Sequence, residues 1–352
     1  MKKMKNEFSN CGFYLLWREL GRGVILLTFY TLHFTSFAQD AHFSQFYYSP
    51  LFINPANTGV FNGNYRFSTN YKNQWQSISN PYRTVFAGLE LALPSKNLGI
   101  GISFLSDKSG KSKMGITQGN ISVSYNLHVN DKNSVVTGLQ YGIGQRSITI
   151  QDLKWDSQFN GTSYDPSAPT GESQVSSAFI YMDVSAGVMW NYTATHSSSR
   201  FKSSLGIAVF HANQPQQAFE QNDKLPYKIV INYNNQFKLA DNPVYILPQL
   251  LFITQGPSTE IDAGALVKYI VGHQTGDLIA TNRVDKRYSS SALYIGGQLR
   301  YKDAFTIMTA FEFRKGLLIS TSYDINVSKL YVASQFRGGI ELALIYRGFF
   351  QN

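Results

Sequence analysis

Residues 121–130 read ISVSYNLHVN, in which Ile121, Val123, Tyr125, Leu127 and Val129 alternate with Ser122, Ser124, Asn126, His128 and Asn130. Successive side chains of a strand point to opposite faces, so this period of two predicts a strand with one apolar and one polar face. The pattern recurs in RTVFAGLELAL (83–93), YKIVINYN (227–234), IDAGALVKY (261–269), AFTIMTAFEF (304–313) and GIELALIY (339–346). In all it predicts about fourteen strands, at 63–73, 82–93, 98–106, 116–130, 133–150, 179–193, 201–211, 226–238, 243–255, 260–271, 291–302, 303–313, 316–326 and 338–348. Most are about ten residues long, the length a tilted strand needs to cross a bilayer. No apolar run beyond the N-terminus reaches the ~18 residues of a spanning helix.

The connections alternate in length. PSKN (94–97), VNDKN (129–133) and RKG (314–316) are short, whereas 75–81, 106–115, 151–178 and 211–226 are long. Periplasmic turns and external loops of a transmembrane barrel alternate in this way. The segment 271–290 is long where a periplasmic turn is expected, and reads either as an insertion on the inner side or as a flaw in the strand count there.

Composition separates a barrel from a soluble β-sandwich, which also alternates. Aromatic residues make up 14% of the 352-residue chain and charged residues only 15%, against about 25% charged in an ordinary soluble domain. Mean hydropathy is slightly negative. The polar faces carry Ser, Asn, Gln, Gly and Thr rather than charge, which suits a lumen filled by water or a plug. Unpaired backbone in lipid costs several kcal/mol per group, so the sheet must close. The expected fold is all-β, a transmembrane antiparallel β-barrel, with Tyr and Phe at strand ends forming interfacial girdles.

The N-terminus adds targeting. Lys2, Lys3, Lys5, Arg18 and Arg22 precede the apolar stretch 24–38, and Ser36-Phe37-Ala38 is a small-x-small site. This reads as a cleavable signal peptide over 1–38, followed by a periplasmic or plug segment over 39–62 and the outer-membrane barrel over 63–352. The single cysteine, Cys11, lies in the leader, so the mature chain offers neither disulfide nor thiolate. Removing five basic and two acidic leader residues lowers the formal charge from +9 to +6. With no Lys/Arg cluster after residue 38, nucleic-acid binding is not expected.

Catalytic and cofactor signatures are lacking. There is no G-x-S-x-G, phosphate loop or dinucleotide fingerprint, and His42, His128, His196, His211 and His273 show no metal-ligand spacing. His211 beside Asn213 is the one faint hint of a hydrolase. No catalytic residue, cofactor or metal is therefore expected. Glu90, Glu312 and Glu341 read as lumen partners of Arg83, Arg300 or Arg347. Asp324 reads as a partner of a lumen cation or as a loop cap, and Asn54-Pro55-Ala56 as a turn, with a plug or periplasmic contact as the alternative. The loop 153–169 gathers Trp155, Phe159, Tyr164 and Pro166 among Asp156, Asn160 and Asp165. Exposed loop aromatics favour protein binding; folding inward to plug the barrel is the equal alternative. Phe219 is a weaker companion.

Several co-ordered motifs carry a family resemblance. Phe43-Ser44-Gln45-Phe46 and Asn54-Pro55-Ala56-Asn57-Thr58-Gly59 in the mature start, SYDINVSKL (322–330), GGIELALIY (338–346), YKDAFTIMTAFEF (301–313) and LPQLLFITQGPSTEIDAGALVKY (247–269) together resemble the PorP/SprF family. These are outer-membrane proteins of type IX secretion in Bacteroidetes. The departures are 271–290, where relatives have a tight turn, and the ending YRGFFQN. The resemblance implies a fourteen-strand barrel similar to the fatty-acid-transporter type. It implies a role in type IX secretion or gliding motility, with partners either an exported adhesin-like cargo, bound through its C-terminal domain, or the periplasmic ring and motor. The rival expectation is an outer-membrane channel or transporter for hydrophobic small molecules.

Overall fold

A computed structural model describes residues 40–74, 81–110, 114–148, 154–170, 178–194, 201–216, 224–239, 243–271, 290–314, 316–329 and 331–350. The leader lies outside the described residues. The first seven strands are β1 (Tyr65–Gln74), β2 (Tyr82–Leu93), β3 (Leu98–Ser109), β4 (Met114–His128), β5 (Asn133–Ser147), β6 (Ala178–Thr193) and β7 (Phe201–Phe210). The second seven are β8 (Lys228–Lys238), β9 (Val244–Gln255), β10 (Ser258–Val271), β11 (Ser291–Arg300), β12 (Ala304–Glu312), β13 (Leu317–Asn326) and β14 (Arg337–Gly348).

Each strand pairs antiparallel with its neighbours in sequence, and β1 pairs with β14 from Tyr65 opposite Gly348 to Gln74 opposite Gly339, closing the barrel. Closure leaves no sheet edge to lipid. The strands match the alternating segments one for one. The strand count therefore holds across 271–290, because Val271 of β10 pairs with Ser291 of β11; the long stretch is an insertion between two adjacent strands. Its residues 272–289 lie outside the described set.

The alternation has a direction. On β4, Ile121, Val123, Tyr125 and Leu127 are exposed while Ser122 and Ser124 are buried. The same holds for Leu139, Ile180, Ile207, Ile229, Val267, Ile307 and Leu342, all exposed on the outer face. An apolar face this continuous belongs in lipid.

The inner face is less polar than expected. Phe86, Val136, Met189, Val230, Leu251, Leu266 and Met308 point inward and are buried. They pack against the segment that precedes β1. Phe46 and Ile53 join Ala208, Phe210, Val230, Leu251 and Ile253, Tyr48 joins Leu266, Tyr294, Met308 and Ile345, and Ala56 joins Val136 and Met189. The barrel thus encloses a small hydrophobic core with this segment at its centre.

Candidate functional site

Residues 40–62 run along the lumen as three short helical turns, Phe46–Tyr48, Pro50–Ile53 and Pro55–Asn57. Pro50 and Pro55 each open a turn, where a missing N–H costs nothing. The segment joins the two ends of the barrel. Asp40 meets His211, Lys228 and Gln255, at the end that carries the long loops. Gly59 lies against Leu91, Ala92 and Gly99, at the end that carries the short turns.

At the turn end the seat is close, and neutral apart from the Arg66–Glu90 pair, which meets the Asn57 carbonyl and Gly59 N. A Cβ on Gly99 would strike the Thr58 carbonyl, one on Gly138 the Pro55–Ala56 peptide, and one on Gly187 the Asn54 side chain. Inward glycines of three strands thus let backbone approach backbone. Asn54 Oδ1 accepts from Ala56 N at 2.8 Å, and its Nδ2 donates to the Val188 carbonyl of β6. Thr58 Oγ1 donates to the Pro55 carbonyl at 2.7 Å and lies 3.0 Å from Ser122 Oγ, while Ser124 Oγ donates to the Thr58 carbonyl at 2.6 Å. Asn54-Pro55-Ala56 is therefore both a turn and an internal contact.

In the middle, buried carboxylates receive the segment. Glu341 accepts from Ser44 N at 2.7 Å, Gln45 N at 2.8 Å and Asn70 Nδ2 at 2.8 Å. Asp324 accepts from Ser44 Oγ at 2.7 Å, Thr306 Oγ1 at 2.8 Å and Arg300 Nη2 at 3.0 Å, with Lys72 Nζ at 3.6 Å. Arg300, only 2% exposed, also holds Asp303 at 2.6 Å. Of the expected pairings, Glu312 with Arg347 holds, and the others are corrected. Glu90 is paired with Arg66 rather than Arg83, through two bonds of 2.8 Å, and also accepts from Gly59 N. Glu341 is held by amides, and Glu312 by Arg347 and Lys268. Register decides this, since Arg66 lies directly opposite Glu90 on β1 and β2.

The loop end is ionic. His211 Nε2 is 2.9 Å from Asp40 Oδ2 and its Nδ1 is 3.0 Å from Asp183 Oδ1, so a carboxylate sits on each ring nitrogen. Lys228 Nζ lies 3.4 Å from Asp40 Oδ2, and 4.6 Å from the centre of the Phe52 ring. Burial alone would lower the His211 pKa; the Asp40 and Asp183 carboxylates outweigh it and raise it to about 9. Burial would raise Asp40, but His211 and Lys228 hold it far below the usual carboxylate range. His42 goes the other way. Burial, then Lys72, Arg300 and Lys228, lower its pKa well below the ordinary value. His211 is thus held between two carboxylates in an ion relay.

The partner-binding residues expected from sequence fall on a folded loop. Over 154–170, Phe159 and Tyr164 form an antiparallel bridge, closed by Asn160 Oδ1 accepting from Thr162 N and Ser163 N. Gln158 is its buried centre, bonded to Tyr164 Oη at 2.9 Å and to the carbonyls of Pro166 and Ala168. Lys154 Nζ lies over the Tyr164 ring at 4.9 Å. Phe159 is exposed and Trp155 half-buried. Phe219 lies outside the described residues. Among the described residues no group of three or more His, Cys, Asp or Glu could hold a metal ion.

The family model described as type IX secretion system membrane protein PorP/SprF matches residues 35–346. The chain belongs to the PorP/SprF family. It is accordingly a type IX secretion component of the outer membrane, built as a β-barrel. No curated protein matches it. Among solved structures it is similar to the CymD monoaromatic hydrocarbon channel, at 10% identity over 89% of this chain and 95% of that one, with a TM-score of 0.46. It is also similar to the P. putida toluene transporter TodX, at 9% identity over 85% and 93%, TM-score 0.44. For the PorP/SprF chain described here, the N-P-A-x-x-G element is the part that enters the glycine seat, and the S-Y-D element supplies Asp324.

Proposed function

We propose that this PorP/SprF protein is a docking barrel. Its loop end binds an exported adhesin-like protein, through that cargo's C-terminal domain, and its turn end meets the periplasmic ring or motor. The leader 1–38 is removed on export, 39–62 is the lumen segment and 63–352 the barrel. No bond is made or broken. The observation that carries this reading is the occupied lumen: a segment anchored from Asp40 to Gly59 fills the space a solute would cross. A cavity beside Asp40, Phe86, Asp183 and His211 holds about 40 Å³, room for one or two waters. That weighs against a pore for hydrophobic small molecules, the activity named for TodX and CymD. The loop 154–170, with Trp155, Phe159, Tyr164 and Pro166, is the preferred contact surface, since rigid aromatics anchor interfaces; Phe219 is its expected neighbour.

The test deletes the gene and compares surface proteomes with and without complementation. Loss of one or a few exported proteins, restored by the wild-type chain and not by a Trp155→Ala/Phe159→Ala variant, is the expected outcome. An unchanged set of exported proteins sinks the proposal.

A further inference from the structure

The two walls of the barrel differ in height. β4, β5 and β6 have 15, 15 and 16 residues, whereas β11, β12 and β13 have 10, 9 and 10. At ~3.3 Å per residue and a ~45° tilt, nine or ten residues rise roughly 20–25 Å, just enough to cross the ~25 Å apolar band of such barrels. Sixteen rise roughly 35 Å. On the low wall, the loop-end connections 301–303 and 327–336 therefore begin at the membrane interface, not well above it.

These two connections are locked together and present apolar groups outward. Val327 N donates to the Asp303 carbonyl at 2.9 Å and Asn326 N to the Phe336 carbonyl at 3.1 Å. Asn326 side-chain bonds to Ser328 and Ser334 fix the turn between. Lys302, Gln335 and Phe336 all take left-handed backbone, with φ of 61°, 51° and 62°. Such backbone is costly for residues with a Cβ and persists where the surrounding structure holds the shape. The result exposes Tyr301, Val327, Tyr331, Phe336 and, most of all, Val332 at 72%. Tyr331 and Phe336 lie ring to ring at 5.5 Å. The patch continues the lipid-facing surface of Leu299, Phe305 and Tyr323, which are exposed just beneath it. Three exposed cations, Lys302, Lys329 and Arg337, rim it.

We infer that this corner is a membrane foot: Tyr331, Val332 and Phe336 insert into the interface of the loop-side leaflet, and the three cations hold anionic lipid headgroups. Apolar continuity with the bilayer face and the basic rim single out lipid over a protein partner. A basic residue beside an anionic surface adds about fivefold in affinity. The foot would tether the low wall and leave the tall wall, with its loop 154–170, free to meet cargo.

The test places a fluorophore on Val332→Cys in the full chain carrying Cys11→Ser, in vesicles of phosphatidylcholine with and without phosphatidylglycerol. Nitroxide borne on lipid should quench this label and aqueous iodide should not. The same label at Thr162→Cys should behave oppositely. Quenching by nitroxide on phosphatidylglycerol should exceed that by nitroxide on phosphatidylcholine, and Lys302→Gln, Lys329→Gln and Arg337→Gln should lower that preference roughly fivefold per charge. An iodide-accessible, lipid-silent label at 332 overturns the foot and returns the patch to a protein partner. A headgroup preference untouched by the triple variant overturns the basic rim.

Discussion

The lumen segment is held at its two ends by opposite chemistries. Around Asn54–Gly59 it rests mainly on glycines, with neutral hydrogen bonds to Ser122, Ser124 and Val188 beside the single Arg66–Glu90 pair that meets Asn57 and Gly59. Around Asp40–Gln45 it is gripped by Asp324, Glu341, His211 and Lys228. Shape decides the first end and charge the second. A shape-based seat is indifferent to pH and salt but intolerant of one added methyl group. A charge-based clamp tolerates small shape changes but fails when a partner is removed or titrated. The segment is therefore fixed at the turn end and conditionally held at the loop end.

The largest break is expected at Asp324. Asp324→Ala would leave Lys72, almost fully buried, without the carboxylate it pairs with, and would leave Arg300 to Asp303. Stranding a buried charge costs about 3–5 kcal/mol. Hydrogen exchange of residues 43–49 should accelerate sharply while 54–59 stay protected. Uniform loss of protection along both stretches would show that the two ends are one cooperative unit. Asp324→Asn, whose amide accepts from one of the Ser44 and Thr306 hydroxyls and must donate to the other while losing the charge, should fall between.

Next comes the pH response of the loop-end clamp. Folded His211 has a pKa near 9, above the ordinary 6.5, so its stabilisation is complete below pH 6.5 and fades as pH rises through 9. About 2.5 units correspond to on the order of 3 kcal/mol. Asp40, held below its ordinary value of 3.8, adds stability that is lost only in strong acid. Protease cleavage near residue 40 should therefore increase from pH 6.5 to 9 in the wild type. In Asp40→Asn it should be high at both pH values. A flat wild-type profile would mean that the ion relay does not hold the segment.

This contrast also marks how much could be read from the chain alone. The outer face was legible because lipid imposes one rule on every second residue. Leu139 or Ile207 needs no knowledge of its neighbours to be assigned outward. The inner face was only half legible. Phe86, Val136 and Leu251 break the polar pattern because they meet Phe43, Ala56 and Phe46 of a distant segment, and no local period reports such a contact. The Glu90 partner was missed for a related reason. Arg83 is much the nearer of the two in sequence, with Arg66 twenty-four residues away, and only strand register places Arg66 opposite Glu90. Asp40 and His211 carried no motif, although a left-handed His211, with φ of 59°, is the backbone mark of the site. The N-P-A-N-T-G element was visible as a turn, but its glycine seat is spread over β3, β5 and β6.

At the shape-based end, the next largest effect is expected from Gly138→Val. Its added groups would overlap the Pro55–Ala56 peptide, and overpacking costs about 1–3 kcal/mol. Protection of 54–59 should drop while that of 43–45 holds, the mirror image of Asp324→Ala. Planar-bilayer current should then rise above the wild-type baseline, because the displaced segment no longer fills the lumen. A silent bilayer with displaced segment would assign the seal to other residues.

The smallest effect sharpens the same half. Thr58→Val keeps the side-chain volume and removes one hydroxyl, with its 2.7 Å bond to the Pro55 carbonyl and its contact with Ser122 Oγ. A neutral hydrogen bond contributes about 1 kcal/mol net, and an acceptor left unsatisfied in a buried site adds to the loss. Thr58 N already donates to the Pro55 carbonyl, so that acceptor is not abandoned, and the cost should stay near 1 kcal/mol. Because both partners are uncharged, the change should be the same at pH 6.5 and pH 9, and in low and high salt. A Thr58→Val effect that moved with pH would tie the seat electrostatically to His211, and the division of the segment into a shape-held and a charge-held end would fail.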